Sequence, residues 1–400
     1  MFSQETSMTQ KTIAVLVLAV LTLFSFPSFA ASRKATAAPA KSANAPRYVI
    51  IMVPDGMGLA DIAAARIKKN GISGPPLAME TLDHIGYART YAENNTVTDS
   101  AAAASAMGCG EKFVNGEICL HQDGRANNPS LLELAKTKGM STGLVVTSTI
   151  THATPAGFGG AHVKSRACET EIARQYIEAV RPDVLLGAGT NTLNPAKPDK
   201  CGTQGDYITK AQTTGYTLAT NKVDLERAVE KSPARLLGLF APDGMTPEYQ
   251  RKPDSGEPRL PEMTKAALHL LERNPKGFFV MIEGSQVDWG NHANNLEYQT
   301  GELLAFNEAV KAVLDWINAV PGRKDQTLVV ISPDHETGGF SLKGDEDISA
   351  LGAFTPGWTT KGHTGTDVPV WSQGPGSERL GRSIQNTDIY KVAKDAIERQ

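Results

Sequence analysis

The side chains that could do chemistry in this sequence stand mainly at the ends of strongly apolar runs. In open α/β sheets, ligands gather beyond the carboxyl ends of the strands, so residues in such positions are candidates for one shared site. The candidates carry carboxylate, hydroxyl or imidazole groups and are Asp55, Ser100, Thr154, Glu283, Asp288, His292, Asp334, His335 and His363. Together they offer more oxygen and nitrogen ligand atoms than a single metal ion can bind. Clusters that contain imidazole are typical of zinc, and a cluster of carboxylates with a hydroxyl is typical of magnesium.

Ser100 has two possible roles. It precedes the alanine run 101–104, which predicts a helix. Serine and aspartate are both favoured at helix N-caps, so Asp99 and Ser100 can be explained as capping residues. The alternative is a nucleophile at the positive end of a helix, where an anion is stabilised. The many candidate ligands elsewhere in the chain favour the nucleophile, since metal coordination activates a serine that is otherwise a weak nucleophile.

Two further features indicate transfer of a charged group. Asp288 and His292 are four residues apart and share one face if their segment is helical, which suits a zinc-type ion. Arg166 by itself would be an ordinary surface charge, but beside a bound phosphate its guanidinium could hold two oxygens at once. Because two metal ions about 4 Å apart can clamp the attacking and leaving oxygens of an in-line displacement, the residues predict phosphoryl or sulfuryl transfer.

The apolar runs before these residues predict a buried, mostly parallel sheet with helices between the strands. The predicted strands are 47–53, 86–91, 142–147, 183–187, 277–282, 327–331 and 368–371, and the predicted helices are 59–69, 129–138, 169–179, 261–273, 301–319 and 386–398. Pro369 predicts that the last strand is an edge strand. Residues 191–261 are rich in Pro, Gly and polar residues and predict an irregular insert, with a short strand at 236–240.

The N-terminus has the features of a signal peptide at 1–30. A lysine precedes the apolar run 13–24, and small residues before Ala31 form a cleavage site. The alternative is an uncleaved anchor, although a serine and a proline interrupt the end of the run. Residues 31–46 predict a disordered linker, and residues 47–400 predict a single catalytic domain.

Composition limits the partners and the compartment. The chain has 40 basic and 43 acidic residues, so neither nucleic acid nor an anionic membrane is expected as a partner. Export predicts a periplasmic or secreted protein, in which disulfides are permitted. The cysteines Cys109, Cys119, Cys168 and Cys201 lack a C-x-x-C pattern, so one or two disulfides are expected, and the spacing does not decide their connectivity.

The candidate motifs occur in an order that resembles the alkaline phosphatases. They are Asp55-Gly56-Met57-Gly58, Thr98-Asp99-Ser100-Ala101, His152-Ala153-Thr154-Pro155, Ser165-Arg166, Glu283-Gly284 with Asp288 and His292, Asp334-His335, and His363-Thr364-Gly365. The resemblance extends over roughly residues 46–395, and it depends on the motifs together because each alone is weak. It implies a three-layer α/β/α sandwich around a large, mostly parallel sheet. It also implies hydrolysis of phosphate monoesters to an alcohol and inorganic phosphate.

The resemblance implies a role for each candidate residue. Ser100 is the expected nucleophile, which becomes phosphoserine, and Arg166 is expected to hold the phosphate. The expected ligands are Asp288, His292 and His363 for a first zinc ion, Asp55, Asp334, His335 and Ser100 for a second, and Asp55, Thr154 and Glu283 for magnesium. The substrates are expected to be small-molecule phosphate monoesters, and the family's usual assembly implies a homodimer without a stable membrane partner.

His152 and Trp289 stand where some bacterial members of this family have aspartate and lysine. An imidazole beside the third metal would make zinc a competitor of magnesium there. The absence of the lysine removes a cation that would help to hold phosphate, so weaker binding of the product is expected. The resemblance to animal members further suggests a disulfide between Cys119 and Cys168.

Three other functions are alternatives. Sulfatases share this kind of scaffold but use a modified residue in a C/S-x-P-x-R motif, and no such motif surrounds Ser100. Phosphodiesterases tend to use a threonine nucleophile and lack an arginine at the position of Arg166. The third alternative is an exported metal-binding protein without catalysis, which would not explain why Ser100 and Arg166 accompany the ligands.

Overall fold

A ten-stranded sheet lies at the centre of the computed structural model, which describes residues 46–344 and 354–399. The predicted signal peptide and all of the predicted linker except Pro46 lie outside the described residues. The described residues belong to one compact unit. None of their helices has both the length and the apolar character needed to span a bilayer.

The predicted strands and helices are all present, although several of their ends shift by a few residues. The strands of the described residues are β1 (Tyr48–Pro54), β2 (His84–Arg89), β3 (Ser141–Thr149), β4 (Val184–Ala188), β5 (Thr217–Ala219), β6 (Leu236–Leu239), β7 (Phe278–Gly284), β8 (Thr327–Ile331), β9 (Glu336–Thr337), β10 (Ser341–Lys343), β11 (Thr355–Gly357), β12 (His363–Thr364), β13 (Val368–Gln373) and β14 (Ser383–Gln385). The α-helices are α1 (Leu59–Asn70), α2 (Ser100–Cys109), α3 (Leu131–Thr137), α4 (Ala153–Phe158), α5 (Glu169–Arg174), α6 (Thr190–Leu193), α7 (Tyr207–Thr213), α8 (Lys222–Lys231), α9 (Leu260–Leu271), α10 (Gln286–His292), α11 (Leu296–Asn318) and α12 (Thr387–Glu398). A π-helical segment, Gln175–Val180, continues α5, and short 3-10 turns lie at Ala78–Thr81, Glu248–Gln250, Lys324–Gln326 and Ser377–Leu380.

The strand order across the sheet is β14-β2-β13-β8-β1-β7-β3-β4-β6-β5. Neighbouring strands pair in parallel, except that β13 runs antiparallel to both β8 and β2. The parallel strands are joined through helices, which return the chain to the start of the next strand. The prediction of an α/β fold with a mostly parallel sheet is therefore confirmed.

Alternate side chains of β1 pack into two different apolar cores. Val49 and Ile51 belong to a core that includes residues of α2, α3 and α12, whereas Ile50 and Met52 belong to a core that includes residues of α1, α9 and α11. Because successive side chains of a strand point to opposite faces, helices cover both faces of the sheet. The predicted three-layer α/β/α sandwich is confirmed, and it explains why β1 is apolar along its whole length.

The prediction that Pro369 marks an edge strand is wrong. β13 lies inside the sheet, between β2 and β8. Its pairing with β8 extends only from Trp371 to Gln373, because β8 ends at Ile331, opposite Trp371. Pro369 therefore pairs only with β2, at Tyr87, and its missing N–H interrupts no hydrogen bond to β8.

The prediction of an irregular insert at 191–261 is wrong in part. This stretch contains α7 and α8 as well as β5 and β6, which extend the sheet beyond β4. The strand predicted at 236–240 is β6. β5 has only three residues, too few to show a strand periodicity in the sequence. The stretch from 240 to 259 is irregular as predicted, apart from one 3-10 turn.

The suggested disulfide between Cys119 and Cys168 is wrong. Cys109 pairs with Cys119, and Cys168 pairs with Cys201. The physical reason is local packing, because Cys119 lies in the same small apolar cluster as Cys109 at the end of α2. Within the described residues no cysteine is unpaired. Closing loops of this size removes roughly 3 kcal/mol of chain entropy from the unfolded state for each bridge.

Candidate metal and active site

Four adjacent strands bring the candidate ligands to one edge of the sheet. β8, β1, β7 and β3 lie side by side and run in the same direction, so their carboxyl ends meet. Asp55 follows β1, Glu283 lies near the end of β7, and Thr154 lies in α4 just beyond β3. Asp334 and His335 follow the end of β8. The rule that ligands lie beyond the carboxyl ends of parallel strands therefore accounts for these five positions.

Gly56 allows the turn after β1 to lie directly against α10. Its φ is +73°, in the left-handed region, and a Cβ atom at this position would lie 2.7 Å from the Cα of Asp288. Since α10 is helical, Asp288 and His292 share one face, as their spacing predicts. The Nε2 atom of His292 lies 3.2 Å from Oδ2 of Asp288.

Ser100 is the first residue of α2, and Asp99 is the N-cap of that helix. The Asp99 carboxylate accepts a hydrogen bond from the backbone N–H of Ala102 (3.0 Å), so the capping role belongs to Asp99. The Ser100 hydroxyl oxygen lies 3.2 Å from Nε2 of His335 and is buried. Ser100 thus stands at the positive end of a helix, with its oxygen among the candidate ligands.

Two glycines bring α2 against α4. A Cβ atom at Gly108 would lie 2.1 Å from the carbonyl oxygen of Gly157, and a Cβ atom at Gly157 would lie 2.7 Å from the carbonyl carbon of Ala104. The two helix backbones are therefore in direct contact, with no space for a side chain between them. This contact fixes the separation of Ser100 and Thr154, which lie near the starts of the two helices.

The first potential metal-binding group comprises Asp288, His335 and His363. One ligand atom of each lies within 4.8 Å of the others. His292, which is expected to bind the first zinc, lies beside this group, with its Nε2 atom 3.2 Å from Nε2 of His363. The three residues expected for the first zinc, Asp288, His292 and His363, are thus mutual neighbours.

Backbone carbonyls orient the two outer histidines of this group. The Nδ1 atom of His292 lies 2.5 Å from the carbonyl oxygen of Lys361, and the Nδ1 atom of His363 lies 2.8 Å from that of Thr98. A carbonyl at Nδ1 favours the tautomer in which Nδ1 carries the proton and Nε2 has the lone pair. Both Nε2 atoms, which face Asp288, are then available to bind a metal.

The second group comprises Asp55, Asp334 and His335, all of which are fully buried. Nε2 of His335 lies 3.6 Å from Oδ1 of Asp55 and 3.2 Å from Oδ2 of Asp334. The Ser100 oxygen, 3.2 Å from the same nitrogen, completes the set expected for the second zinc.

The third group comprises Asp55, His152 and Glu283. Thr154, expected as a ligand of magnesium, lies beside it and donates a hydrogen bond to Oδ2 of Asp55 (3.3 Å). His152, which the sequence indicates only as a modulating residue, therefore adds an imidazole to this group. The structure thus gathers all nine candidate ligands and His152 around Asp55, His335 and Asp288.

The buried carboxylates of these groups have oxygens without hydrogen-bond partners. These atoms are Oδ1 of Asp55, Oδ2 of Asp334 and both carboxyl oxygens of Glu283. Burial, with repulsion from Asp334, raises the pKa of Glu283 to about 8 and holds that of Asp55 well above its ordinary value. Buried carboxylates without partners are unfavourable unless protons or cations neutralise them, so this donor set fits divalent metal ions.

Arg166 and His152 form a pair near the start of α2. Arg166 donates a hydrogen bond from Nη1 to Oδ2 of Asp99 (3.1 Å), and its Nη2 atom lies 3.2 Å from Nε2 of His152. Burial and the nearby Arg166 cation lower the pKa of His152 to about 4. The imidazole is therefore neutral at neutral pH and can accept a hydrogen bond from the guanidinium. Asp99, which the sequence indicates only as a cap, thus also positions Arg166.

Trp289 lies against His152 with its ring edge-on, at a centroid distance of 6.2 Å. The indole also lies close to Gly244, where a Cβ atom would lie 2.6 Å from its Cζ3 atom. The loop after β6 is itself anchored, because the Met245 N–H donates to the carbonyl oxygen of Thr147 (3.0 Å). The indole therefore contacts both this anchored loop and His152 of the third group.

Thr337 is a further residue of the site, and no sequence motif indicates it. Its hydroxyl donates to Oδ1 of Asp288 (2.5 Å) and lies 3.2 Å from Nδ1 of His335. Thr337 therefore links Asp288 of the first group to His335, which belongs to both the first and the second group. The only signal in the sequence is its position two residues after His335. A threonine in a short strand does not by itself indicate a functional role.

Comparisons with known proteins agree with this arrangement. The alkaline phosphatase family model matches residues 46–355. Alkaline phosphatase 3 of Bacillus subtilis is 32% identical over 96% of this chain and 97% of its own length. Streptomycin-6-phosphate phosphatase of Streptomyces griseus is 33% identical over 96% of each chain.

The similarity extends to solved structures. The alkaline phosphatase of the Antarctic bacterium TAB5 aligns with a TM-score of 0.77 at 31% identity, covering 88% of this chain and 98% of that one. Structures of two variants of the TAB5 enzyme, in which a histidine is replaced by glutamate or aspartate, have Mg bound in the M3 site.

The pKa shifts determine how metal removal should change the pH dependence of stability. In the metal-free protein Glu283 keeps its proton up to about pH 8, whereas its ordinary pKa is 4.5. Between these values the native state binds more protons than the unfolded state, so the free energy of unfolding falls as the pH rises. His292 acts in the same direction, because hydrogen bonding to Asp288 raises its pKa from 6.5 to about 9 and that stabilisation is lost as the pH rises towards 9.

We therefore expect the Tm of the metal-free protein to fall between pH 6.5 and pH 8. The fall should be smaller with zinc and magnesium bound, because the cations replace protons at the carboxylates. Thermal unfolding of the chelated and the metal-loaded protein, followed by circular dichroism at each pH, measures both changes in Tm. The Glu283→Gln variant is the control and should show a shallower dependence. A metal-free Tm that stays constant or rises over this range would contradict the prediction.

Proposed function

Since this chain belongs to the alkaline phosphatase family and hydrolyses phosphate monoesters, we propose that the reaction proceeds in two steps through a phosphoserine on Ser100. One observation supports this most directly. The Ser100 oxygen lies 3.2 Å from Nε2 of His335, at the start of α2 and among the candidate ligands. No observation favours the sulfatase, the phosphodiesterase or the metal-binding protein without catalysis.

In the first step, the Ser100 oxygen attacks phosphorus while the bond from phosphorus to the alcohol oxygen breaks. The serine proton passes to solvent water, and the alcohol leaves with a proton taken up from solvent water. In the second step, water attacks the phosphoserine, the bond from phosphorus to Oγ breaks, and Ser100 regains its proton as inorganic phosphate is formed. The positive end of α2 stabilises the negative charge of the phosphoryl group in both steps.

Arg166 is proposed to hold two non-reacting oxygens of the phosphoryl group. Its guanidinium already has one partner on each side, Asp99 and His152, at 3.1 and 3.2 Å. These contacts restrict its rotamers, so less conformational entropy is lost when phosphate binds. Neutral His152 adds no positive charge beside the Arg166 guanidinium.

The three groups are proposed to hold two zinc ions and one magnesium ion. Asp288, His292 and His363 would hold the first zinc, and Asp55, Asp334, His335 and Ser100 would hold the second; Asp55, Thr154 and Glu283 would hold magnesium. When bound, the ions activate the serine and water nucleophiles and stabilise the leaving oxygen. The orphaned carboxylate oxygens of Asp55, Asp334 and Glu283 support this assignment.

Zinc is proposed as a competitor of magnesium in the third group. The reason is the imidazole of His152, which lies within this group together with Asp55 and Glu283. Imidazole suits zinc, whereas magnesium prefers oxygen ligands. The presence of Mg in the M3 site of acidic variants of the TAB5 enzyme is consistent with a neighbouring side chain setting the metal.

The protein is also proposed to be exported, to the periplasm or the medium, as a homodimer without a membrane partner. The leader-like sequence at 1–30 and the two disulfides support export. We expect the mature protein to begin at Ala31 and to have twice the monomer mass in solution. N-terminal sequencing and light scattering of the purified protein measure these. Retention of residues 1–30 would instead indicate an uncleaved anchor.

The two-step reaction predicts a specific pattern of loss. Ser100→Ala should lower turnover of p-nitrophenyl phosphate at alkaline pH by roughly three orders of magnitude or more, because the nucleophile is absent. Chelation should abolish turnover, and added zinc and magnesium should restore it. Ser255→Ala, in a turn away from the three groups, is the matched control.

Mass spectrometry of acid-quenched wild-type enzyme should show one phosphoryl group on Ser100 and none in the Ser100→Ala variant. Equal turnover with and without chelator would reject the metal-dependent reaction. Turnover that survives in Ser100→Ala at the wild-type rate would reject the phosphoserine while leaving the hydrolase intact.

Trp289 predicts weaker binding of the phosphate product than a lysine would give. In Trp289→Lys the new ammonium group should tighten inhibition by inorganic phosphate by roughly tenfold, the effect of one charge-assisted hydrogen bond. Trp289→Ala is the control, because it removes the indole without adding charge. Inhibition constants for phosphate from steady-state kinetics measure this. An inhibition constant that tightens more in Trp289→Ala than in Trp289→Lys would contradict the prediction.

A further inference from the structure

A buried chain of hydrogen bonds joins three segments that carry candidate ligands, although none of its side chains is itself a candidate ligand. Oδ1 of Asp61 accepts a hydrogen bond from Nδ2 of Asn291 (3.0 Å). Oδ1 of Asn291 accepts in turn from Nε1 of Trp358 (3.2 Å). Asp61 and Asn291 are completely buried, and Trp358 is partly buried.

The first member of the chain fixes the turn that follows Asp55. Asp61 lies in the first turn of α1, and its Oδ2 atom accepts a hydrogen bond from the N–H of Gly58 (2.6 Å). Gly58 ends the turn that begins at Asp55. Asp61 thereby connects this turn to its other partner, Asn291.

The second member lies on α10 between Asp288 and His292. This helix has only seven residues, so few helical hydrogen bonds hold its end in place. A small rotation of α10 would move the side chains of Asp288 and His292 together. The two hydrogen bonds of the Asn291 amide, one to each neighbouring segment, oppose such a rotation.

The third member begins the segment 358–362, which leads to His363. Nearby backbone bonds hold this segment to Gly338, because the N–H groups of Thr359 and Thr360 donate to its carbonyl oxygen (3.0 and 3.2 Å) and its own N–H donates to Gly362 (2.9 Å). The same segment supplies the Lys361 carbonyl that orients His292. The Trp358 indole provides a second tie between this segment and α10, through Asn291.

We propose that Asp61, Asn291 and Trp358 are positioning residues for the expected ligands of the first zinc ion. They hold the turn after Asp55, the helix α10 and the segment 358–363 in the arrangement in which Asp288, His292 and His363 meet. This role depends on the proposed function, because it concerns the ions that those ligands would hold. Partners behind metal ligands typically change metal affinity by about ten- to a hundredfold when they are removed.

Two conservative variants test the proposal. Trp358→Phe removes the Nε1–H donor but keeps an aromatic ring against Phe340, whose ring centroid lies 5.0 Å away. Asp61→Asn keeps the size of the side chain but replaces one carboxylate oxygen with an NH2 group. Both oxygens of Asp61 accept hydrogen bonds, from the Gly58 N–H and from the Asn291 amide, so the new NH2 group would face another N–H donor. Trp316→Phe is the matched control, because the Nε1–H of Trp316 donates to Glu272 (2.8 Å), outside the chain of hydrogen bonds.

The measurement is zinc affinity, by competition with a chromophoric chelator, together with kcat at limiting and saturating zinc. Trp358→Phe and Asp61→Asn should each weaken the affinity for zinc by roughly tenfold or more, and saturating zinc should restore most of kcat. Trp316→Phe should leave the affinity unchanged. Each variant removes one of the two hydrogen bonds of the Asn291 amide. The loss of zinc-binding free energy in the double variant should therefore be smaller than the sum of the losses in the two single variants.

Wild-type zinc affinity in both variants, with only a lower Tm, would overturn the proposal, because the three residues would then serve stability alone. A loss of kcat that saturating zinc does not restore would also overturn it. These results differ from a failure of the proposed function, in which the wild-type protein itself would bind no zinc.

Discussion

Mutual repulsion among buried carboxylates is the constraint on which the rest of the structure depends. Asp55, Glu283, Asp288 and Asp334 are gathered at one sheet edge with at most 5% of any of them exposed. Two like charges about 4 Å apart repel by about 4 kcal/mol at an effective dielectric constant of about 20. Without cations, burial together with this repulsion raises the pKa values of Asp55 and Glu283, so protons neutralise these two carboxylates. The protein must therefore keep these groups together until cations arrive.

The frame that resists this repulsion is backbone rather than side chain. Three of the acids lie on or directly after parallel central strands, and these strands cannot separate without breaking the ladder between them. Ser100 is held by a helix whose backbone touches that of α4 at Gly108 and Gly157. At both places the close approach leaves little freedom for the site to expand. Pre-organised positions of this kind favour tight metal binding, because little reorganisation is needed.

Much of the fold and of the candidate site could be predicted because both depend on local patterns. Continuous apolar runs indicate buried strands, and polar groups at their ends indicate a shared site. Prediction was wrong where a tertiary partner decides the outcome. Pro369 lies inside the sheet only because β8 ends before reaching it, and Cys119 pairs with Cys109 because both lie in one small cluster. The contact of Thr337 with Asp288 joins residues 49 positions apart, a separation that no local pattern encodes.

The antiparallel direction of β13 allows a late part of the chain to contribute to the site. Because β13 runs against β8, its first residue lies at the edge where the parallel strands end, so His363 reaches the site from the segment before a strand rather than after one. The last candidate ligand therefore comes from the C-terminal part of the chain, long after Ser100 has been synthesised. A chain still emerging from the ribosome contains Ser100 but lacks the full set of candidate ligands. The candidate site is therefore complete only when synthesis of the chain is nearly finished.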